Sequence, residues 1–205
     1  MHFPAGEYTY EFREMGRIVA QETARVQPGH IRGMRRTTEA GDNRHEVEAE
    51  LDAEGAVRVL RLRYLRGPFQ RSVTYEASDD ILRGSLAALS SRQSVEVKLG
   101  RFREVDGGLL IFKALLIARV RERGQSRWTG RVATIDRATL LGKPIKQTLY
   151  QDPARPSTWI LEPMMGEREI IALDQQGRIL KHTSSSGGSA ELTRMRDTAA
   201  PGGGD

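Results

Sequence analysis

The residues in this sequence that could do chemistry are histidines, carboxylates, hydroxyls and arginines, with no sulfur nucleophile among them. The four histidines are His2, His30, His45 and His182. None stands at H-x-x-x-H or H-x-E spacing, so the pattern that puts two metal-binding imidazoles on one helical face is absent. With Cys 0 there is no thiolate nucleophile, no disulfide and no cysteine-held zinc or iron–sulfur group. No G-x-S-x-G elbow occurs, and Ser90–Ser91 and Ser184–Ser186 fall in loop contexts. Gly16, Gly107–Gly108 and Gly187–Gly188 do not build a phosphate loop. No catalytic set, metal set or cofactor is therefore expected, and the expected activity is not enzymatic.

The charged residues give four further leads. Glu46, Glu48 and Glu50 alternate along one strand face, and a simple hairpin register sets Glu46 opposite Arg61. Such a cross-strand ion pair contributes a few tenths to about 1 kcal/mol. Glu22 shares the face of Ile18, Ala20, Ala24 and Val26, where a lone buried carboxylate is costly. A bulge or an arginine partner is the expectation there, and a ligand contact the alternative. Lys113, the first charge in an apolar block, is expected to snorkel to water, with a ligand head group as the alternative. Finally, Arg119, Arg121, Arg123, Arg127 and Arg131 surround Trp128, and Arg32, Arg35 and Arg36 form a second cluster. Arginines track phosphates and an exposed Trp stacks on bases, which makes this belt a nucleic-acid alternative. Glu122 interrupts it and Trp128 is expected to point inward, so a solvated rim is the default reading.

Something must position these groups. The chain has 205 residues, enough for one domain. Its 32 basic residues include 27 arginines and five lysines, and against 27 acids they leave a net charge of +5. Hydrophobic residues make up 38% and charged residues 29%, with a mean hydropathy of −0.51. That is the composition of a soluble globular protein with a modest core. No segment reaches the roughly 18 uncharged apolar residues of a membrane span. The opening MHFPAGEYTYEF has neither a basic nor an apolar leader region, so a cytoplasmic location is expected, or a periplasmic one if a signal has been removed.

Alternation of apolar and polar residues predicts strands over most of the chain. Tyr8, Tyr10 and Phe12 mark the first, residues 17–27 the second, and 44–51 with 56–64 a hairpin around Asp52-Ala53-Glu54-Gly55. Further strands are expected at 70–77, 93–99, 127–135, 145–150, 158–162, 168–173, 179–182 and near 191–195. The L-D-x-x-G-x pattern at Leu51 recurs at Leu173, which implies two hairpins of one design. His45 and His182 would approach if those hairpins faced each other; solvated histidines are the expectation. Ser78-Asp79-Asp80 reads as the cap of a short helix carrying Ile81, Leu82, Leu86 and Leu89. LLIFKALLIARV, from Leu109 to Val120, is apolar all round and predicts a buried core helix capped by Asp106. RDTAAPGGGD, after Met195, is too polar and Gly-rich to fold.

The order of these patterns is itself informative. A Y-x-Y-x-F strand leads into G-R-I-V-A-Q-E-T-A. L-D-x-x-G-x-V, LLIFKALLIA, W-T-G-R-V-A-T-I-D-R-A-T-L and A-L-D-x-x-G-R-I then follow. This resembles bacterial spiral β-roll families of unknown function, neighbours of the glycolipid-binding-like proteins and of the lipoprotein-carrier half-barrels, over about residues 6–195. The resemblance implies a mostly-β domain at 1–195, a curved antiparallel roll or half-barrel around one central apolar helix, with a disordered tail at 196–205. It also implies a lipid-like or amphiphilic ligand in the concave face. Tyr8, Tyr10, Phe12, Leu60 and Leu62 would then line that face, together with Tyr64, Phe112, Trp128 and Trp159. Alternatively the helix and aromatics fill the roll. A nucleic-acid module using the arginine belt, and a scaffold that binds partners through strand edges, are the other two functional readings.

Overall fold

In the computed structural model, which describes residues 4–38, 43–88, 91–100 and 103–196, the strands form one curved, unclosed sheet around a single helix. The first eight are β1 (Gly6–Glu14), β2 (Arg17–Gln27), β3 (His30–Thr37), β4 (Arg44–Leu51), β5 (Val57–Arg66), β6 (Phe69–Ser78), β7 (Ile81–Ala88) and β8 (Ser91–Lys98). β9 (Glu104–Asp106) and α1 (Leu110–Glu122) follow, then β10 (Arg127–Ile135), β11 (Gly142–Asp152), β12 (Arg155–Pro163), β13 (Glu169–Leu173), β14 (Ile179–Ser184) and β15 (Ser189–Arg196). The spatial order runs from β8 back to β1, crosses to β15, and runs back again to β9. Every pairing is antiparallel except β9 with β10. That parallel pair needs a crossover, and α1 supplies it.

The sheet curls until β8, at one edge, packs near the other. A Cβ on Gly142 in β11 would stand 2.4 Å from Val97 Cγ2 in β8. Curvature of this degree lets α1 bury residues on all its faces, among them Ile111, Phe112, Ala114, Leu115, Ile117 and Val120. Burying apolar surface at about 25 cal/mol per Å² is the main term holding sheet to helix. Strand residues on the concave face complete one continuous core.

Three elements depart from the sequence reading. Residues 81–88 are a strand, and no helix follows Ser78. Asp79 takes a left-handed φ of 51° inside a tight turn that pairs Ser78 with Ile81. Gly84, which weakens a helix, is the residue that makes room for Tyr75, whose Cδ1 would lie 2.6 Å from an added Cβ. β3 and β9 carry no clear alternation and exist through pairing with their neighbours. The tail expected from 196 lies outside the described residues from 197 onward, and Arg196 itself ends β15.

The repeated L-D-x-x-G segments do form one turn twice. Asp52 Oδ1 accepts the amides of Glu54 and Ala56, and Asp174 Oδ1 those of Gln176 and Arg178. Each is followed by a glycine at positive φ, Gly55 at 76° and Gly177 at 86°, and by a register shift. Glu46 stands opposite Arg63 and Glu48 opposite Arg61, two residues from the expected Glu46–Arg61 register, one of the two coming from the first of these shifts.

Candidate functional site

The strand ends that pair Glu14 with Arg17, Arg36 with Arg44, Arg66 with Phe69 and Ala88 with Ser91 share one end of the roll. Arg13 pairs with Ser189, which brings the β14–β15, β12–β13 and β10–β11 turns to that same end. The parallel β9–β10 pair also delivers the N-terminus of α1 there. The chain therefore gathers around the first turn of the helix a set of charged groups from seven places in the sequence.

Glu22, fully buried in β2, accepts the Leu110 amide at 2.7 Å through Oε1. It thus serves a helix start whose own flanking residue, Leu109, has no side-chain cap. The bulge in this strand falls at Val19, between the Phe12–Ala20 and Arg13–Ile18 pairs, so Glu22 sits in regular register. The sequence expected Asp106 to be the cap. Asp106 instead accepts the Gly108 amide at 2.8 Å and faces Lys113 at 3.6 Å. Burial pushes the Glu22 carboxyl up to about 7, against the pull of Arg35, the Leu110 amide and Arg137.

Lys113 does not reach for water. Its ammonium lies 2.7 Å from Glu169, which also accepts a hydrogen bond from His182 Nε2 at 2.7 Å. Burial alone would raise the Glu169 carboxyl, yet Lys113 and His182 hold it at about 2. The same pairing outweighs burial at Lys113, whose pKa is raised. His45 is likewise buried and not solvated. Its Nε2 donates to the Gly107 carbonyl at 2.9 Å, which leaves Nδ1 as the bare nitrogen. Burial pushes His45 down to about 4, with the Arg137 and Arg35 charges adding to the effect. Gly108, at φ +86°, permits this packing: an added Cβ would stand 2.8 Å from Arg137 Cγ and 3.1 Å from His45 Nε2.

Above these groups the mouth of the roll opens into a cavity of about 770 Å³. Phe12, Leu109, Leu110, Ile135 and Ile145 give it apolar lining; Arg35, Arg137, Lys113 and His182, with the carboxylates of Glu14, Asp106, Asp136, Glu167 and Glu169, give it polar lining. Arg35 stacks on the Phe12 ring, 3.6 Å from its centroid. Burial, then the neighbouring Arg137 charge, lowers Arg35 to about 10. Its Nε is buried without a partner. The Glu22 and Glu14 charges act on the Arg35 pKa in the opposite direction.

Of the nine aromatic and aliphatic residues the sequence singled out, Phe12 borders this cavity. Tyr10, Leu60, Phe112, Trp128 and Trp159 are buried in the core around α1, and Tyr64 is half-buried against it. Tyr8 and Leu62, also core side chains, lie on the floor of a second cavity of about 810 Å³ on the outer face of the sheet. Salt-bridged Arg61, Glu48, Arg63 and Glu46 border that outer groove.

The arginine belt is divided. Arg119 is buried and bound to Glu104 at 2.8 Å, and Arg123 faces the same carboxylate at 3.8 Å. Burial raises Glu104 to about 7 against both cations. Arg121, Arg127 and Arg131 are exposed, while Trp128 is buried as expected and offers no stacking face. Within the second cluster, Arg35 turns inward to the cavity and Arg32 and Arg36 outward.

No protein-family model matches the chain, and no curated protein does. Among the solved structures that share its fold are these two. One is a DUF1089 family protein from Pseudomonas aeruginosa, 15% identical with a TM-score of 0.59, covering 80% of this chain and 89% of that one. The other is a β-barrel-like protein of domain of unknown function DUF1849 from Brucella abortus, 11% identical with a TM-score of 0.59, covering 96% and 98% respectively. The chain thus has the β-barrel-like architecture of these domains of unknown function, and no helix among its described residues is long and apolar enough to cross a membrane.

Sequence reasoning singled out Glu22, Arg35, Lys113, His45 and His182, and Asp106 as a helix cap, but not Arg137 or Glu169. The available signal was Asp106-Gly107-Gly108 directly before an apolar helix with no acid in its first turn.

Proposed function

We propose that this protein is a non-enzymatic binding protein for an amphiphilic, lipid-like molecule held at the mouth of the roll, with an anionic head group between Arg35 and Arg137. The cavity there carries the reading: about 770 Å³ lies within the size range of small-molecule sites, and its lining sets the Arg35 and Arg137 guanidiniums beside apolar side chains, with carboxylates from Glu14, Asp106, Asp136, Glu167 and Glu169 also on its walls. The interior below is occupied by α1, so the ligand's chain lies against Phe12, Leu109 and Leu110, above the core. Glu22, with no exposed surface, takes no part in contacting it.

Native mass spectrometry of freshly purified protein, followed by titration with dodecanoate and with uncharged dodecylmaltoside, tests this. Arg137→Ala should weaken dodecanoate about tenfold or more, the value of a charged hydrogen bond, and leave dodecylmaltoside unchanged. Val19→Trp, which fills the cavity from its half-buried wall, should weaken both probes. Failure of both probes to bind, or indifference of binding to both substitutions, overturns the reading.

A further inference from the structure

The rim around the cavity has a composition the rest of the surface lacks. Seven large hydrophobic side chains are exposed among the described residues, and six of them stand at the mouth end: Met15, Ile18, Phe69, Leu141, Met164 and Met165. They belong to four different turns, β1–β2, β5–β6, β10–β11 and β12–β13. Met15 is 102% exposed, and Met164 and Met165 are 76% and 75% exposed. The seventh, Leu180, belongs to the opposite end, at the register shift that follows the Asp174 turn. Scattered surface hydrophobics are ordinary; their collection at one end is not.

Charge follows the same division. Arg13, Arg17, Arg36 and Arg44 flank the β1–β2 and β3–β4 connections, and Arg66, Arg71 and Arg92 the β5–β6 and β7–β8 turns. Arg137, Lys143 and Arg168 complete the set on the β10–β11 and β12–β13 turns. Against these ten stand Glu14, Asp136 and Glu167 in the turns and, just inside them, Glu11 and Glu162, which pair with Arg13 at 2.8 Å and Arg168 at 3.3 Å. Among the described residues the cations of these turns outnumber the acids. The opposite turns carry Asp52, Glu54, Asp79, Asp80, Asp152 and Asp174. Three of these are paired with Arg103, Arg155 and Arg178.

We infer that the mouth end docks on an anionic lipid bilayer, with Met15, Phe69, Met164 and Met165 entering the head-group layer and the surrounding arginines meeting lipid phosphates. Apolar tips set within a basic ring match an interface that is apolar beneath and negative above. Nucleic acid would use the cations but has no use for exposed methionines. Docking in this pose sets the cavity mouth against the bilayer. The inference does not depend on whether the cavity holds a ligand, because it rests on the rim alone.

The test is co-sedimentation of the full chain with vesicles of equal parts phosphatidylcholine and phosphatidylglycerol, and with pure phosphatidylcholine. Binding should be confined to the anionic vesicles and fall with salt, each rim cation contributing about fivefold. Phe69→Ser with Met164→Ser and Met165→Ser should lower vesicle binding about tenfold or more while leaving the circular dichroism unchanged. In a separate variant, Met165→Trp should show a blue-shifted emission on adding anionic vesicles. No binding at low salt, an unmoved tryptophan spectrum, or binding indifferent to the triple substitution and equalled by a single-stranded oligonucleotide overturns the inference.

Discussion

Replacing Glu22 by Gln isolates the energetic role of the one carboxylate that meets the helix start. Burial raises its pKa from 4.5 to about 7, so the folded protein holds this proton more tightly than the unfolded chain does. The resulting stability is fully present below about pH 4.5 and is lost as pH rises through about 7. A difference of that size, at 1.36 kcal/mol per pKa unit, is about 3 kcal/mol. Other groups titrate in the same window. Glu104, also raised to about 7, acts in the same direction. His45, lowered to about 4, acts in the opposite one, adding stability as pH rises toward its unfolded value of 6.5. The informative quantity is therefore the difference between variant and wild type. Gln keeps a carbonyl for the Leu110 amide and removes the charge. Urea unfolding at a series of pH values should give a variant-minus-wild-type stability that climbs by about 3 kcal/mol between about pH 4.5 and pH 8. Glu22→Ala, which removes the acceptor too, should cost about 1 kcal/mol or more even at low pH, as the loss of a helix cap does. A pH-independent difference for Glu22→Gln would refute the assignment of a buried, proton-holding carboxyl at this position.

Further outcomes follow from the same geometry. Glu169→Gln leaves Lys113 without its nearest carboxylate and should cost about 3 to 5 kcal/mol by chemical denaturation. It should also remove the stability that wild type holds above about pH 4.5 and loses as pH falls toward about 2, a segment visible in acid unfolding curves. Arg119→Met strands the buried Glu104 carboxylate, and the variant should be markedly less stable near pH 8 than near pH 5; equal losses at both would contradict the pairing. Gly108→Ala should destabilise by more than Gly16→Ala. Both demand positive φ, but only Gly108 adds a clash with Arg137, while nothing lies within 4 Å of a Cβ at Gly16. Asp52→Ala and Asp174→Ala should each cost about 1 kcal/mol in melting experiments, since each removes the one oxygen that accepts two backbone amides of the same turn; a large disparity would deny their equivalence.

The strands with strict alternation, the helix of Leu110–Glu122 and the twin Asp-x-x-Gly turns follow from local pattern, because side-chain period and turn chemistry act over a few residues. The curved, mostly antiparallel sheet around an apolar helix was expected from the resemblance to spiral β-roll families, not from local pattern. What local pattern could not supply was any property that depends on partners far along the chain. β3 has no apolar alternation and β7 carries helix-like signals, yet both are strands because β2, β4, β6 and β8 offer them hydrogen bonds. Glu22 is recognisable in the sequence as a carboxylate on an apolar face. That it holds an amide 88 residues away, at a helix start the roll brings beneath it, is a fact of three dimensions. Lys113, His45 and His182 each had a solvated reading that was reasonable for an isolated segment. The closing of the sheet around α1 took their water away and obliged them to find Glu169 and the Gly107 carbonyl instead. The amino-acid sequence determined the elements, and tertiary structure alone decided which charges were buried together and which apolar side chains were left around the mouth.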